Sequence, residues 1–168
     1  MKTENRGDLS PATTYNLLFV CTGNTCRSPL AEALARDHLR RRSWSHVAVA
    51  SAGTHAEIGA PAAKHSIAVG ERRGLVLDTH RSQPLTPELV GWADLILVMG
   101  AAHLGAVRRL GGEDKVALIG EFAGREQASG ASVPDPYGAD EPTYERTLLV
   151  LDEMLDAVFE RLEPVLQP

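Results

Sequence analysis

The sequence has few cysteines, no excess of positive charge and no long apolar run, and each of these features excludes a class of protein. Only two cysteines, Cys21 and Cys26, occur among its 168 residues, and they lie in one short segment. Such a pair forms no disulfide framework, and two ligands alone make a poor zinc site. The sequence therefore argues against a disulfide-rich secreted domain and against a metal centre.

The charge and the hydropathy pattern narrow the class further. The formal net charge is −5 at pH 7, whereas a nucleic-acid-binding domain usually carries an excess of basic residues. No apolar run reaches the roughly 18 residues of a membrane span, and the N-terminus lacks the apolar core of a signal peptide. We expect a cytoplasmic protein with no nucleic-acid partner and no membrane partner.

Length and composition are those of one globular domain. Hydrophobic residues make up 43% of the chain and charged residues 23%, which is ordinary for a soluble protein. A chain of this length can bury a sizeable core as one unit. Residues 1–13 are polar and include glycine and proline, so we predict a flexible tail there and a single domain over residues 14–168.

Apolar segments typical of strands alternate with amphipathic segments typical of helices. We predict strands at residues 15–20, 46–50, 94–99 and 115–119, with a turn at residues 51–53. We predict helices at residues 30–42, 61–73, 101–110 and 142–162, a short helix opened by residues 86–88, and a long loop at residues 120–141. The alternation indicates an α/β three-layer sandwich, in which a four-stranded parallel sheet has helices on both faces.

The segment after the first strand has the features of an anion-binding loop. A short loop from Cys21 to Arg27 leads into the first helix. Ser28 is a suitable N-cap for that helix, Pro29 suits its first position, and Glu32 would complete a capping box. Backbone N–H groups of such a loop can converge on one point, where the helix dipole adds positive potential. Ligands of parallel sheets also bind beyond the carboxyl ends of the strands.

Two side chains of this loop suit phosphate chemistry. The guanidinium of Arg27 offers a planar fork for two phosphate oxygens, and Cys21 lies where a positive field favours the nucleophilic thiolate. Taken alone, a cysteine after a strand is more often a small buried hydrophobe, and an arginine in a first helical turn is usually solvated. Together they indicate a phosphatase site. Nucleotide binding is disfavoured because no Gly-Lys-Ser/Thr follows the loop glycine.

The same residues resemble the signature of the low-molecular-weight protein tyrosine phosphatases, a cysteine, five residues and Arg-Ser/Thr directly after the first strand. The resemblance extends to residues 51–54, 79–82, 93–99 and 135–138 and covers roughly residues 15–163. It implies a cysteine-dependent phosphoprotein phosphatase with no cofactor and no metal, acting on a phosphorylated protein substrate. No metal is needed because Arg27 and the loop amides neutralise the phosphate. We expect a monomer.

The resemblance also assigns roles within the loop. It implies that Cys21 attacks phosphorus to give a cysteinyl-phosphate and that Ser28 steadies the thiolate. Asn24 would shape the loop through side-chain hydrogen bonds, with His80 as its supporting partner. The expected phosphate-binding loop comprises Thr22, Gly23, Asn24, Thr25, Cys26, Arg27 and Ser28.

Two further residues carry roles that rest on the resemblance. Asp135 lies between two prolines, a turn that is common without any chemistry, but it matches the family's Asp-Pro-aromatic motif. It would protonate the leaving group and then act as base toward water. Cys26 would both pack behind the loop and form a reversible disulfide with Cys21, because the matching family cysteine can do so.

Three positions bear on the substrate. Tyrosine-directed members commonly have an aliphatic residue at the position of Thr25, whereas threonine resembles the protein-arginine-phosphatase branch. Glu57 stands where some members place an aromatic residue, and Gly138 after Tyr137 is smaller than the second aromatic of several tyrosine-directed members. We predict a narrow preference for phosphoarginine, with an ordinary phosphotyrosine phosphatase as the alternative. All three positions are also compatible with neutral drift in a loop, and Glu57 with a solvated side chain.

Two other functions fit the sequence less well. An arsenate reductase on this fold needs a further cysteine pair in the C-terminal half, and no cysteine follows Cys26. A non-catalytic phosphopeptide-binding module is expected to have lost Cys21 or Asp135, and both are present.

Overall fold

A four-stranded parallel β-sheet forms the centre of the protein, as the sequence predicts. The computed structural model describes residues 14–124 and 131–166. The strands are β1 (Tyr15–Cys21), β2 (Val47–Gly53), β3 (Leu95–Val98) and β4 (Val116–Leu118). Their order in the sheet is β2-β1-β3-β4, and every pairing is parallel.

Helices connect the strands and cover the sheet. They are α1 (Arg27–Arg42), α2 (Lys64–Glu71), α3 (Pro87–Trp92), α4 (Leu104–Arg109), α5 (Ile119–Phe122) and α6 (Glu141–Leu166). Short 3₁₀ turns, Ala101–His103 and Glu113–Lys115, precede α4 and β4. Within the described residues, no helix is long and apolar enough to cross a membrane.

The side chains of β1 alternate between two hydrophobic clusters. Leu17 and Phe19 belong to the larger cluster, which is completed by α1 and α6, and Leu18 and Val20 belong to the smaller one beside α3 and α4. All four side chains are fully buried. A strand buried on both faces reads as a continuous apolar run, and that run is what made β1 recognisable.

Three predicted boundaries are wrong. Residues 51–53 are not a turn but the end of β2, because they pair with the last three residues of β1. The helix at residues 61–73 is shorter, over Lys64–Glu71. The predicted loop at residues 120–141 begins inside α5, and residues 125–130 lie outside the described residues, as does the predicted tail at residues 1–13.

The predicted capping box at the start of α1 is also wrong. The helix begins at Arg27, so Cys26 occupies the N-cap position, and no side chain caps the helix there. Ser28 lies inside the first turn and Glu32 pairs with Arg36 at 3.0 Å. The chain turns early because Asn24 adopts a left-handed backbone conformation, φ 55°, which leaves the Ser28 hydroxyl facing the loop.

The topology places the loop 22–26 at the switch point of the sheet. The chain leaves β1 to form β2 on one side and later returns to form β3 on the other side. A crevice therefore opens beyond the carboxyl end of β1, which is where open α/β sheets bind their ligands.

Gly53 gives a test of how tightly the loop is packed against β2. A Cβ atom at Gly53 would lie 2.4 Å from the Thr22 carbonyl oxygen and 2.9 Å from the Asn24 nitrogen. Because both are backbone atoms, we predict that Gly53→Ala lowers the free energy of unfolding by about 1–3 kcal/mol in urea titrations.

Gly91→Ala is the matched control. It lies in α3, and a Cβ there has no neighbour within 4 Å. This variant is expected to be neutral or stabilised by about 0.5–1 kcal/mol. Equal stability of the two variants would show that the loop is not wedged against Gly53.

Candidate active site

The sulfur of Cys21 lies at the end of β1 among hydrogen-bond donors. Its Sγ is 2.9 Å from Ser28 Oγ, and the backbone N–H of Asn24 donates to it over 3.3 Å. The Asn24 carboxamide donates to Ser28 Oγ over 2.8 Å, which leaves the serine proton to donate to sulfur. These donors, together with the N-terminus of α1, can stabilise negative charge on the sulfur.

Asn24 holds the loop in shape. Its buried carboxamide also donates to Ser51 Oγ over 2.9 Å and accepts from the backbone N–H of Gln83 over 3.0 Å. His80 donates from Nε2 to the Asn24 carbonyl oxygen over 2.7 Å. The structure thus brings together Asn24 and His80. It adds Ser51 and Gln83, for which the only signal was that a buried carboxamide needs several partners.

Arg27 is buried beside the sulfur and its guanidinium is only partly paired. Nη1 donates to the Val133 carbonyl oxygen over 3.1 Å, and Nη2 lies 3.4 Å from Thr22 Oγ1. Its ion pair with Asp135 is 3.6 Å long. Among the described residues, Arg27 Nε has no hydrogen-bond partner. A buried cation with a spare donor is suited to an anionic ligand.

Asp135 stands at the open side of the site. Its side chain is 50% exposed, and one carboxylate oxygen accepts from the backbone N–H of Tyr137 over 3.1 Å. A cavity of about 220 Å³ separates it from the loop. The residues that line this cavity are Cys21, Thr22, Gly23, Thr25, Cys26, Arg27, Asp135 and Tyr137.

A larger cavity, of about 670 Å³, lies elsewhere, between α1 and the outer strand β2. It is lined by arginines, serines and apolar residues and contains neither cysteine nor carboxylate. The smaller cavity brings together a cysteine, a buried cation and a carboxyl group, which are able to act as nucleophile, anion-binding group and acid, so it is the candidate active site.

The two cysteines sit in different surroundings. Cys26 Sγ lies 3.3 Å from the hydroxyl of Tyr144 on α6, and both side chains are buried. Burial raises the pKa of the Cys26 thiol and also the pKa of Tyr144. Cys26 is therefore held as a thiol that faces a phenol. The sequence analysis missed Tyr144, because nothing in the sequence predicts that α6 reaches the loop.

His103 is a second residue that the sequence analysis missed. It is 4% exposed and lies at the end of the 3₁₀ turn after β3, next to the carboxyl end of β1. Its Nε2 is 2.9 Å from Thr22 Oγ1. Burial, and then the positive charge of Arg27, lower the pKa of His103 to about 4. The side chain is therefore neutral at pH 7.

The three residues expected to influence selectivity do not all reach the cavity. Thr25 and Tyr137 line it, and the ring of Tyr137 is 80% exposed. Glu57 is exposed and is absent from the cavity lining, and its backbone carbonyl accepts from Ser82 Oγ. The described residues contain no group of three or more histidines, cysteines and carboxylates able to hold a metal.

Comparison with known proteins agrees with this geometry. The profile of the family described as low molecular weight phosphotyrosine protein phosphatase matches residues 16–167. A Bacillus subtilis (strain 168) protein named protein-arginine-phosphatase is 36% identical over 150 residues, which are 88% of this chain and 97% of that protein. Etp from Escherichia coli K12, named a low molecular weight protein-tyrosine-phosphatase, is 33% identical over 139 residues, 82% of this chain and 87% of that protein.

A solved structure shares the fold. The crystal structure of a YwlE mutant from Bacillus subtilis aligns with a TM-score of 0.82 and 34% identity, covering 89% of this chain and 99% of that one. The family profile spans nearly the whole described chain, and both relatives exceed 30% identity over more than four-fifths of it. The chain therefore belongs to the low molecular weight phosphotyrosine protein phosphatase family and is a hydrolase of that type.

Proposed function

We propose that this protein removes phosphate from phosphoarginine in proteins through a cysteinyl-phosphate intermediate. The observation that carries the proposal is the position of Thr25 on the wall of the cavity that contains Cys21. The relative named protein-arginine-phosphatase supports it. Phosphotyrosine is the alternative substrate, and the relative named a protein-tyrosine-phosphatase favours that alternative. We propose residues 14–168 as the single phosphatase domain, acting as a cytoplasmic monomer.

The substrate phosphate would bind between Arg27 and the loop 22–26. The buried guanidinium has an unpaired Nε donor, and its ion pair with the exposed Asp135 is long. A dianionic phosphoryl group can replace that carboxylate as the partner of Arg27. The exchange would release Asp135 toward the leaving group.

In the first chemical step, Cys21 Sγ would attack phosphorus in line with the leaving nitrogen or oxygen. A sulfur–phosphorus bond forms while the phosphorus–nitrogen (or phosphorus–oxygen) bond breaks. Asp135, which would take up a proton from solvent once the phosphoryl group has replaced it beside Arg27, gives that proton to the leaving atom. The Ser28 hydroxyl, 2.9 Å from the sulfur, stabilises the thiolate before attack and when it leaves again. Arg27 and the loop amides would hold the equatorial oxygens.

In the second step, water would attack the cysteinyl-phosphate. Asp135, now a carboxylate, takes a proton from the water, the sulfur–phosphorus bond breaks and Cys21 returns to the thiolate. The position of Asp135, half exposed on the lining of the cavity, would suit both roles, because the leaving group would depart and water would enter on the exposed side.

Selectivity between phosphoarginine and phosphotyrosine would depend on the part of the cavity wall that contacts the substrate atom bonded to phosphorus. A phosphoarginine brings a guanidinium with several N–H donors close to the loop, and an apolar wall leaves such donors unpaired. Thr25 offers a small side chain with a hydroxyl there. A phosphotyrosine presents an apolar ring instead, which gains more from an aliphatic wall. Glu57 does not line the cavity and would have no part in this selectivity.

The disulfide between Cys21 and Cys26 stays a prediction. Both cysteines are free thiols in this structure and both line the same cavity. Oxidation of Cys21 by a peroxide, which is itself reduced to water or an alcohol, would give a sulfenic acid. Condensation of that sulfenic acid with the Cys26 thiol would release water, form the disulfide and block the nucleophile until a thiol reduces it.

The nucleophile can be tested by separating turnover from binding. We predict that Cys21→Ser abolishes turnover of p-nitrophenyl phosphate but still binds inorganic phosphate in calorimetry, because Arg27 and the loop amides remain. Arg27→Lys is expected to lose binding, since an ammonium group cannot reproduce the fork. Substantial turnover by Cys21→Ser would contradict the covalent route.

The role of Asp135 can be tested with leaving groups of different basicity. We predict that Asp135→Asn slows hydrolysis of phenyl phosphate by roughly 10²–10⁴-fold, the usual contribution of a general acid. The activated p-nitrophenyl phosphate needs little protonation and is expected to lose far less. Equal losses of kcat for the two esters would mean that Asp135 is not the acid.

The choice of substrate can be tested by comparing phosphoarginine and phosphotyrosine peptides of the same sequence. We predict that the wild type hydrolyses the phosphoarginine peptide with the higher kcat/KM. Thr25→Val keeps the volume of the side chain and removes its hydroxyl, so it should shift the ratio about five- to tenfold toward phosphotyrosine. Thr25→Ser keeps the hydroxyl and is the matched control.

If the wild type does not hydrolyse the phosphoarginine peptide and Thr25→Val leaves the phosphotyrosine rate unchanged, the protein is a phosphotyrosine phosphatase.

A further inference from the structure

His103 makes two hydrogen bonds that fix its protonation state. The backbone N–H of Gly100 donates to Nδ1 over 3.1 Å, so that nitrogen carries no proton. The proton of the neutral ring is therefore on Nε2, which lies 2.9 Å from Thr22 Oγ1. His103 consequently donates to Thr22, and Thr22 is the acceptor.

The hydroxyl of Thr22 then has only its proton left for a further hydrogen bond. An alcohol oxygen has two lone pairs and one proton. It accepts from His103 Nε2, and Arg27 Nη2 approaches it at 3.4 Å. Both lone pairs are thereby engaged, so the proton must be donated elsewhere. Thr22 is exposed and lines the cavity that contains Cys21, and its carbonyl is held by the N–H of His55 over 2.9 Å.

We propose that His103 is a positioning residue, which orients the Thr22 hydroxyl so that it donates its proton to a phosphoryl oxygen. Because Arg27 Nη2 also approaches Thr22 Oγ1, the same contact steadies the guanidinium. The inference rests on the proposed function only in that a phosphoryl group occupies the cavity. It holds for a phosphotyrosine substrate as well as for a phosphoarginine substrate.

The electrostatics around His103 agree with a neutral donor. The charged or titratable groups whose charges act on it are Arg27, Asp135 and His55. Protonation would place a second positive charge beside Arg27 and remove the acceptor for the Gly100 N–H. Burial and Arg27 lower the pKa of His103 to about 4, so the ring remains neutral at the pH of the assay. His103 does not transfer a proton in the reaction.

Two substitutions separate the two nitrogens of the ring. In His103→Asn, the carboxamide oxygen can accept from the Gly100 N–H, but no donor reaches Thr22. In His103→Gln, the longer side chain can place an N–H near the position of Nε2. We expect His103→Asn to lower kcat/KM for p-nitrophenyl phosphate and the affinity for inorganic phosphate about five- to tenfold, and His103→Gln to retain most of both.

A double-mutant cycle with Thr22→Val shows whether the effect passes through Thr22. Thr22→Val should lower kcat/KM and phosphate affinity as much as His103→Asn does, and adding His103→Asn to Thr22→Val should lower them little further. The proposal would be overturned if the loss of kcat/KM in the double variant equalled the product of the two single losses. It would also be overturned if His103→Asn and His103→Gln lost equal activity, because a merely structural histidine would give those results. These assays use an aryl phosphate and inorganic phosphate, so a failure of the phosphoarginine proposal does not affect them.

The wild type supplies a test that does not depend on the folding of any variant. Nitrogen-15 NMR of the imidazole at pH 7 is expected to show His103 as the neutral form with its proton on Nε2. A proton on Nδ1, or a charged ring, would mean that His103 cannot donate to Thr22 in the way proposed.

Discussion

The buried carboxamide of Asn24 is the contact on which the active site depends. It joins the serine that faces the nucleophile to Ser51 at the end of β2 and to the backbone of Gln83. Asn24 also carries the left-handed backbone conformation that brings the chain into α1 one residue after Cys26. One side chain therefore sets the loop's shape, the orientation of the Ser28 hydroxyl and the starting point of α1, whose first residue, Arg27, lines the cavity.

The candidate active site has more hydrogen-bond donors than acceptors. Arg27 is buried, yet its carboxylate partner is exposed and 3.6 Å away, and its Nε is unpaired among the described residues. Burying a cation with incomplete pairing is unfavourable in the free protein. A phosphoryl group bound as proposed would remove that penalty, so part of its binding free energy would come from completing the electrostatics of Arg27. The substrate would thus take the place of a missing structural anion.

The sequence was sufficient to predict the sheet, the loop that contains Cys21 and Arg27, and the family. These depend on local patterns, apolar runs of strand length and a motif of fixed spacing. It was insufficient where partners come from distant segments. Ser28 looked like a helix cap because the left-handed turn at Asn24, four residues earlier, leaves no local signal. His103 looked like any residue of a helix start until the order of the strands placed the end of β3 beside the end of β1.

The contact between Cys26 and Tyr144 ties the longest helix to the chemistry of the loop. The phenol on α6 is buried, and the sulfur of Cys26 supplies a hydrogen-bond partner 3.3 Å away. Alkylation of this cysteine or its replacement by alanine deprives a buried hydroxyl of that partner, which typically costs about 1–3 kcal/mol. Position 26 is thus unsuited to replacement by alanine or to a thiol-reactive label, because either change would itself loosen the C-terminal helix.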